Sequence, residues 1–125
     1  MAPAVIESTL DRREALVDAD YVINCTRIGG LEAFKTDIEI PLKYGVDQCV
    51  GDTLCIGGIM YHQRNSPQLL DFARDMREIS KPGARMLNYA NPMAMNTWAA
   101  LDYGQIDCIG LCHGVEGGHQ QIAEV

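Results

Sequence analysis

Short apolar runs alternate with segments of helical pattern along this chain of 125 residues. The runs cover residues 20–25, 86–89 and 106–111, and each is short enough for a single strand. Strands that alternate with helices build βαβ units, whose strands lie parallel in one sheet. We therefore predict an α/β fold with a mostly parallel sheet. The two later runs carry few charges, which is typical of strands covered on both faces.

Apolar residues at helical spacing predict helices over residues 8–19, 31–44 and 66–79, and a further helix after Asn91-Pro92. Ser8 is the predicted N-cap of the first helix. In the second, Pro41 should bend the helix or stop it early. The stretch from Gly45 to Asn65 is rich in glycine and weakly periodic, so it is predicted to form loops.

The acidic composition limits the classes of partner. A formal net charge of −7 argues against nucleic acid or an anionic membrane. No apolar run approaches the ~20 residues that span a bilayer, and the first residues lack the pattern of a secretory signal. A cytoplasmic location is therefore expected. In that reducing setting the five cysteines read as buried apolar residues, of which one could be reactive or metal-bound.

Each predicted strand ends in polar or glycine residues, within the segments NCTRIGG, NYANP and GLCHG. Ligands of parallel α/β sheets bind outside the carboxyl ends of the strands, so these segments are candidates for a site. Asn91 could cap the following helix, with Pro92 as its first residue, or it could contact a ligand.

Spacing leaves two interpretations of the last segment open. Cys108 and Cys112 are four residues apart, about 13 Å in an extended strand, so they cannot share one metal ion. Adjacent side chains of an extended chain point apart, so Cys112 and His113 do not form a chelate either. Cys112 therefore either binds a metal with ligands from elsewhere or is simply packed.

The segments ADYVINCTRIGGLEAFKTDIEIPLKYGVDQ, GDTLCIGGI, LNYANPMAMNTWA and IGLCHGVEGG resemble glycoside hydrolase family 4, in this order, from about Thr9 to Val125. The most similar branch contains α-galactosidases and relatives that act on unphosphorylated sugars. The resemblance implies NAD⁺ and Mn²⁺ as cofactors. It also implies an oxidation and elimination mechanism: oxidation at C3 of the sugar, deprotonation at C2, loss of the aglycone, addition of water and final reduction.

The resemblance also assigns residues. Cys112 matches the metal-ligating cysteine, and the other protein ligand lies elsewhere. His113 stands where some members carry an aspartate that acts as an acid on the leaving group, and histidine can do the same. Asn91 matches the asparagine that contacts the sugar hydroxyls and lies near the nicotinamide, and Asp52 is a weaker candidate for substrate contact. The segment from Asn24 to Gly30, with Thr26 and Gly29, resembles the segment under the cofactor.

Some features depart from the family pattern. Cys55-Ile56 replaces the usual Gly-Pro, and Arg64 stands in for the arginine of a loop that otherwise differs. The resemblance implies a single partial Rossmann-like domain over residues 1–125, doubly wound, without the first βα unit and the C-terminal domain. The resemblance also places the catalytic base and the second metal ligand outside these residues.

The expected partner is a small-molecule glycoside, and the full-length protein is expected to form homo-oligomers. Two alternatives remain. One is a fragment of a 2-hydroxy-acid dehydrogenase, a class that shares this architecture and an Asn-Pro at a strand end. The other is an inert truncated domain.

Overall fold

A computed structural model describes residues 3–125 and contains a parallel sheet of three strands in the order β1-β2-β3. The strands are β1 (Tyr21–Asn24), β2 (Arg85–Asn88) and β3 (Asp107–Gly110). Their register aligns Asn24 with Asn88, and Asn88 with Gly110, so all three strands end level with one another. The predicted strands and the mostly parallel Rossmann-like sheet are confirmed.

Five helices accompany the sheet within residues 3–125: α1 (Arg12–Leu16), α2 (Gly30–Lys43), α3 (Cys55–Ile79), α4 (Met93–Asp102) and α5 (His113–Ala123). The first is much shorter than the predicted helix over residues 8–19. Its N-cap is Asp11, whose carboxylate accepts a hydrogen bond from Arg13 N at 2.8 Å, so Ser8 is not the cap.

Pro41 does not stop α2, which continues through it to Lys43. Proline lacks the N–H group that would bond the carbonyl of residue 37 in the preceding turn. Here the side chain of Gln48 donates to the Asp37 carbonyl at 3.1 Å, which replaces the missing donor. A residue from the following loop therefore lets the helix extend beyond the proline.

The predicted loops between Gly45 and Asn65 are wrong for the second half of that stretch, because α3 begins at Cys55. Gly57 and Gly58 lie where the helix touches the loop before it. A Cβ atom on Gly57 would collide with the Gly51 carbonyl, and one on Gly58 with the backbone of Thr53. These glycines serve close packing rather than a turn. None of the helices within residues 3–125 is long and apolar enough to cross a membrane.

The hydrophobic core lies on one face of the sheet. Met86 of β2 and Cys108 of β3 point to this face and pack against residues of α1, α3 and α4, namely Leu16, Leu69, Met76, Ala99 and Ala100. On the other face, side chains such as Ile23 and Ile109 are 68% and 42% exposed. Within residues 3–125 the strands are thus covered on one face, not on both as their composition suggested.

Candidate functional site

The loops that follow the three strands meet at one edge of the sheet, as parallel pairing requires. Residues 25–29 follow β1, residues 89–92 follow β2, and residues 111–112 lead from β3 into α5. The ladder continues one step past the strands, because Tyr89 N donates to the Asn24 carbonyl and Leu111 N donates to the Asn88 carbonyl. The three segments singled out in the sequence are therefore neighbours in space.

Buried asparagines hold the loop after β2 in place. Asn24 Nδ2 donates to Asn88 Oδ1 at 2.9 Å, and the same oxygen accepts from Ala90 N at 3.3 Å. Asn88 Nδ2 in turn donates to the carbonyl of Met93, and Asn96 Nδ2 to the carbonyl of Ala90. An asparagine side chain can both donate hydrogen bonds to the irregular backbone of this loop and accept them from it, whereas an apolar core residue can do neither.

Asn65, on α3, ties the first two loops together. Its Oδ1 accepts from Ile28 N at 3.2 Å and its Nδ2 donates to the Asn91 carbonyl at 3.1 Å. Asn65 was predicted to lie in a loop, and its role between the two loops was not foreseen. The spacing of the sequence could have indicated this role. Asn65 lies four residues from Tyr61 and four from Leu69, so in a helix all three side chains share one face, which is buried here.

The side chain of Asn91 does not cap α4. Pro92 occupies the N-cap position, after a cis Asn91-Pro92 bond, and the helix has no side-chain cap. Asn91 Nδ2 instead donates to Asp52 Oδ2 at 3.0 Å. Of the two readings of Asn91, the capping one is wrong, and the amide is directed to the carboxyl edge of the sheet.

Asp52 also receives a hydrogen bond from the guanidinium of Arg27 at 3.1 Å. Arg27 lies over the rings of Phe34 and Tyr61, at 4.8 and 5.0 Å from the ring centres. Burial raises the pKa of Asp52, but hydrogen bonds from Asn91, Arg27 and Thr53 outweigh it, so the pKa lies below its usual value. Asp52 is therefore a carboxylate that bridges two of the loops.

The predicted cofactor segment is a compact turn between β1 and α2. Thr26 Oγ1 donates to Asn24 Oδ1 at 2.8 Å. Gly29 is the N-cap of α2 with φ +83°, and Gly30 begins the helix with φ +59°. A side chain at Gly29 would also collide with Cβ of Ala33, so this position requires glycine for two reasons.

Arg64 fixes this turn from the side of α3. Its Nε donates to the Ile28 carbonyl at 2.9 Å, and its guanidinium pairs with Asp37 at 2.5 Å. The hydrogen bond to Asp37 raises the pKa of Arg64. Arg64 therefore stabilises the turn by joining it to α2 and α3.

Cys112 and His113 share an open cleft of about 950 Å³ beyond the end of β3. Cys112 is half-buried at the N-cap of α5, and His113 is the exposed first residue of that helix. Tyr89, Met93 and His119 also line the cleft. Gly110 leaves room for Met93, since a Cβ atom there would collide with its sulfur. Asn91 and Asp52 are not among the lining residues.

The other cysteines behave differently from Cys112. Cys108 is buried in the core, and burial raises the pKa of its thiol, which favours the neutral form. Cys25, Cys49 and Cys55 are exposed, so the expectation that the cysteines are mostly buried is wrong for them. Within residues 3–125 no three histidine, cysteine, aspartate or glutamate side chains form a metal-binding cluster.

The sequence profile described as family 4 glycosyl hydrolase matches residues 1–125, the whole chain. The chain belongs to this family. The assignment favours the glycosidase interpretation over the dehydrogenase alternative that an Asn-Pro at a strand end had left open.

Two relatives illustrate the similarity. The α-galactosidase of Rhizobium meliloti is 64% identical over 123 residues, which cover 98% of this chain and 25% of that protein. The α-galactosidase of Bacillus subtilis is 48% identical, over 89% of this chain and 26% of that protein. The chain thus spans about a quarter of the length of these relatives.

A solved structure shares the fold. It is the 6-phospho-β-glucosidase of Thermotoga maritima, determined with manganese, NAD⁺ and glucose-6-phosphate. It is 33% identical and superposes with a TM-score of 0.80, covering 93% of this chain and 28% of that one.

Proposed function

We propose that this chain forms part of a glycosidase that uses NAD⁺ and Mn²⁺ to cleave α-galactosides or related unphosphorylated sugars. The 64% identity to an α-galactosidase supports the choice of sugar. The manganese and NAD⁺ in the Thermotoga maritima structure support the choice of cofactors. The proposal includes cleavage by oxidation at C3 and elimination, a small-molecule glycoside as partner, a cytoplasmic location and a homo-oligomeric full-length protein.

The observation that carries the proposal is the placement of Cys112 and His113 in one cleft at the carboxyl edge of the sheet. Cysteine binds metal ions through its sulfur, and the half-buried Cys112 presents that sulfur at the N-cap of α5. One thiolate fits one coordination position of a metal ion. Residues 3–125 contain no cluster of three candidate ligands, so these residues alone do not supply a set of three protein ligands.

Each residue then has a role of its own. Bound NAD⁺ and Mn²⁺ would supply a hydride acceptor and a Lewis acid. Cys112 holds the metal, and His113 gives a proton to the glycosidic oxygen as the aglycone leaves. Imidazole suits this step because it can carry a proton and release it as a general acid. Asn91 binds a sugar hydroxyl, and the turn from Asn24 to Gly30 supports the cofactor.

A chimeric enzyme tests the proposal. Residues 1–125 replace the matching segment of the Rhizobium meliloti α-galactosidase, and hydrolysis of p-nitrophenyl α-galactoside is measured with NAD⁺, Mn²⁺ and a reductant. We expect hydrolysis that requires both cofactors. Cys112→Ser should abolish it, because a neutral hydroxyl is a much weaker metal ligand than a thiolate.

Cys108→Ser is the matched control, since it makes the same atomic change in the core and should leave turnover intact. Hydrolysis at the same rate without NAD⁺ and Mn²⁺ would contradict the proposal. So would a Cys112→Ser chimera as active as its parent, or a parent chimera that folds and cleaves no glycoside.

A further inference from the structure

Asp52 occupies a position between two of the loops at the carboxyl edge of the sheet. Its Oδ2 accepts from Arg27, which belongs to the turn after β1, and from Asn91, which belongs to the loop after β2. Its Oδ1 accepts from the hydroxyl of Thr53 at 3.1 Å. Both carboxylate oxygens are thus engaged by donors from three separate positions of the chain.

The chemistry of a carboxylate fixes the orientation of the Asn91 side chain. An ionised carboxylate only accepts hydrogen bonds, whereas an amide has one donor end and one acceptor end. The NH₂ group of Asn91 must therefore face Asp52, and its Oδ1 must face away. Within residues 3–125, Oδ1 of Asn91 has no hydrogen-bond partner, and it is not among the buried atoms.

Neighbouring groups keep this arrangement rigid. The Asn91 carbonyl is held by Asn65 Nδ2 at 3.1 Å, so the backbone under the amide is anchored. Arg27 is restrained by the rings of Phe34 and Tyr61, and it therefore keeps Asp52 in one rotamer. The amide of Asn91 is thus held at the carboxyl edge of the sheet with its orientation already set, which lowers the entropic cost of binding a ligand there.

We infer that Asp52 is a positioning residue, which presents the Oδ1 atom of Asn91 as a hydrogen-bond acceptor for a sugar hydroxyl. This inference rests on the proposed function and makes it more specific. Asp52 acts through Asn91 and does not itself touch the sugar. This role differs from the sequence prediction, in which Asp52 contacts the substrate directly. The matching substrate feature is a free hydroxyl group that donates its proton to Asn91.

A double-mutant cycle in the chimera tests the inference, with variants Asp52→Asn, Asn91→Ala and both together. Asn at position 52 offers a donor as well as an acceptor, so Asn91 can turn its oxygen inward. We expect Asp52→Asn to lower kcat/KM about 10- to 100-fold, mainly by raising KM. In the Asn91→Ala background the same substitution should change kcat/KM less than about twofold.

A second readout is the pH dependence of Asn91→Asp. This substitution puts two carboxyl groups within hydrogen-bond distance of each other, beside the guanidinium of Arg27. Arg27 can offset the charge of one carboxylate, so repulsion between the two makes the second carboxyl group keep its proton to a higher pH. The variant should lose activity as the pH rises, and Asp52→Asn in the same chain should remove this loss. A purely structural role for Asp52 would not link the two positions in this way.

The control is Asp75→Asn, which removes another buried carboxylate paired with arginines, Arg12 and Arg13, at the opposite end of α3. It should lower the urea midpoint and leave KM unchanged. Additive effects of Asp52→Asn and Asn91→Ala on kcat/KM would overturn the inference, because they would mean that Asp52 contacts the substrate independently.

Failure of the proposed function gives a different result. If the parent chimera cleaves no glycoside, the same cycle is measured on urea unfolding, where the contact between Asp52 and Asn91 still predicts a coupling. If the two substitutions lower the unfolding free energy additively, the inference is overturned. If their effects are coupled, the contact between Asp52 and Asn91 is supported although the proposed function has failed.

Discussion

Replacing Asn88 by alanine gives a demanding test of the buried asparagine network. Asn88 is fully buried, and its Oδ1 accepts from Asn24 Nδ2 and Ala90 N. Neither donor has another acceptor within residues 3–125, and both residues are about 5% exposed, so bulk water has little access to them. Each stranded donor costs about 1–3 kcal/mol, so Asn88→Ala should lower the unfolding free energy by about 2–6 kcal/mol.

The carbonyl groups that accept hydrogen bonds from Asn88 each keep another hydrogen bond in the alanine variant. The Met93 carbonyl keeps a hydrogen bond from Thr97 Oγ1 at 2.7 Å, and the Ala90 carbonyl keeps one from Asn96. Removal of the amide nitrogen therefore strands no acceptor. The predicted loss of stability comes from the oxygen of Asn88.

Asn24→Ala is the matched control for this prediction. It leaves Asn88 Oδ1 bonded to Ala90 N, and the half-buried Thr26 can bond water instead. We expect a cost of about 1 kcal/mol, and a coupling of about 1–3 kcal/mol between the two substitutions. Urea unfolding followed by far-ultraviolet circular dichroism measures both. A loss below about 1 kcal/mol for Asn88→Ala, or additivity in the cycle, would refute the reasoning.

Three further predictions follow from the site. Mn²⁺ should protect Cys112 of the chimera against alkylation, as read by mass spectrometry, and equal labelling with and without metal would disprove ligation. Because the pKa of Asp52 is lowered in the folded chain, its contribution to stability is complete above about pH 4 and is lost below it. Asp52→Asn should therefore flatten the acid side of a stability profile. Gly110→Ala should displace Met93 and lower the melting temperature, whereas Gly83→Ala, with open space around it, should strain only its own backbone (φ +81°).

The sequence predicts the strands well because strand formation here depends on local composition. Short apolar runs bounded by polar residues gave all three strands to within a few residues. The edge of the sheet that carries the candidate site followed from parallel pairing alone. The placement of Cys112 and His113 in one cleft is consistent with the assignments that the resemblance made, and their roles remain predictions.

The first half of α3 could not be predicted because tertiary contacts decide it. Gly57 and Gly58 lower helix propensity, yet the adjoining loop leaves no room for larger residues. A tertiary contact also decides the helix at Pro41. Proline cannot donate to the Asp37 carbonyl, and the side chain of Gln48 supplies that hydrogen bond instead. The pairing of Asp52 with Asn91 joins residues 39 positions apart, which no periodicity records.

The two faces of the sheet differ sharply in burial within residues 3–125. Met86 and Cys108 face the core and set the stability of the fold, whereas Tyr21, Ile23 and Ile109 alternate with the inward side chains and face solvent. Charged residues at those three positions would remove an exposed apolar patch of this segment and would leave the core contacts within residues 3–125 unchanged.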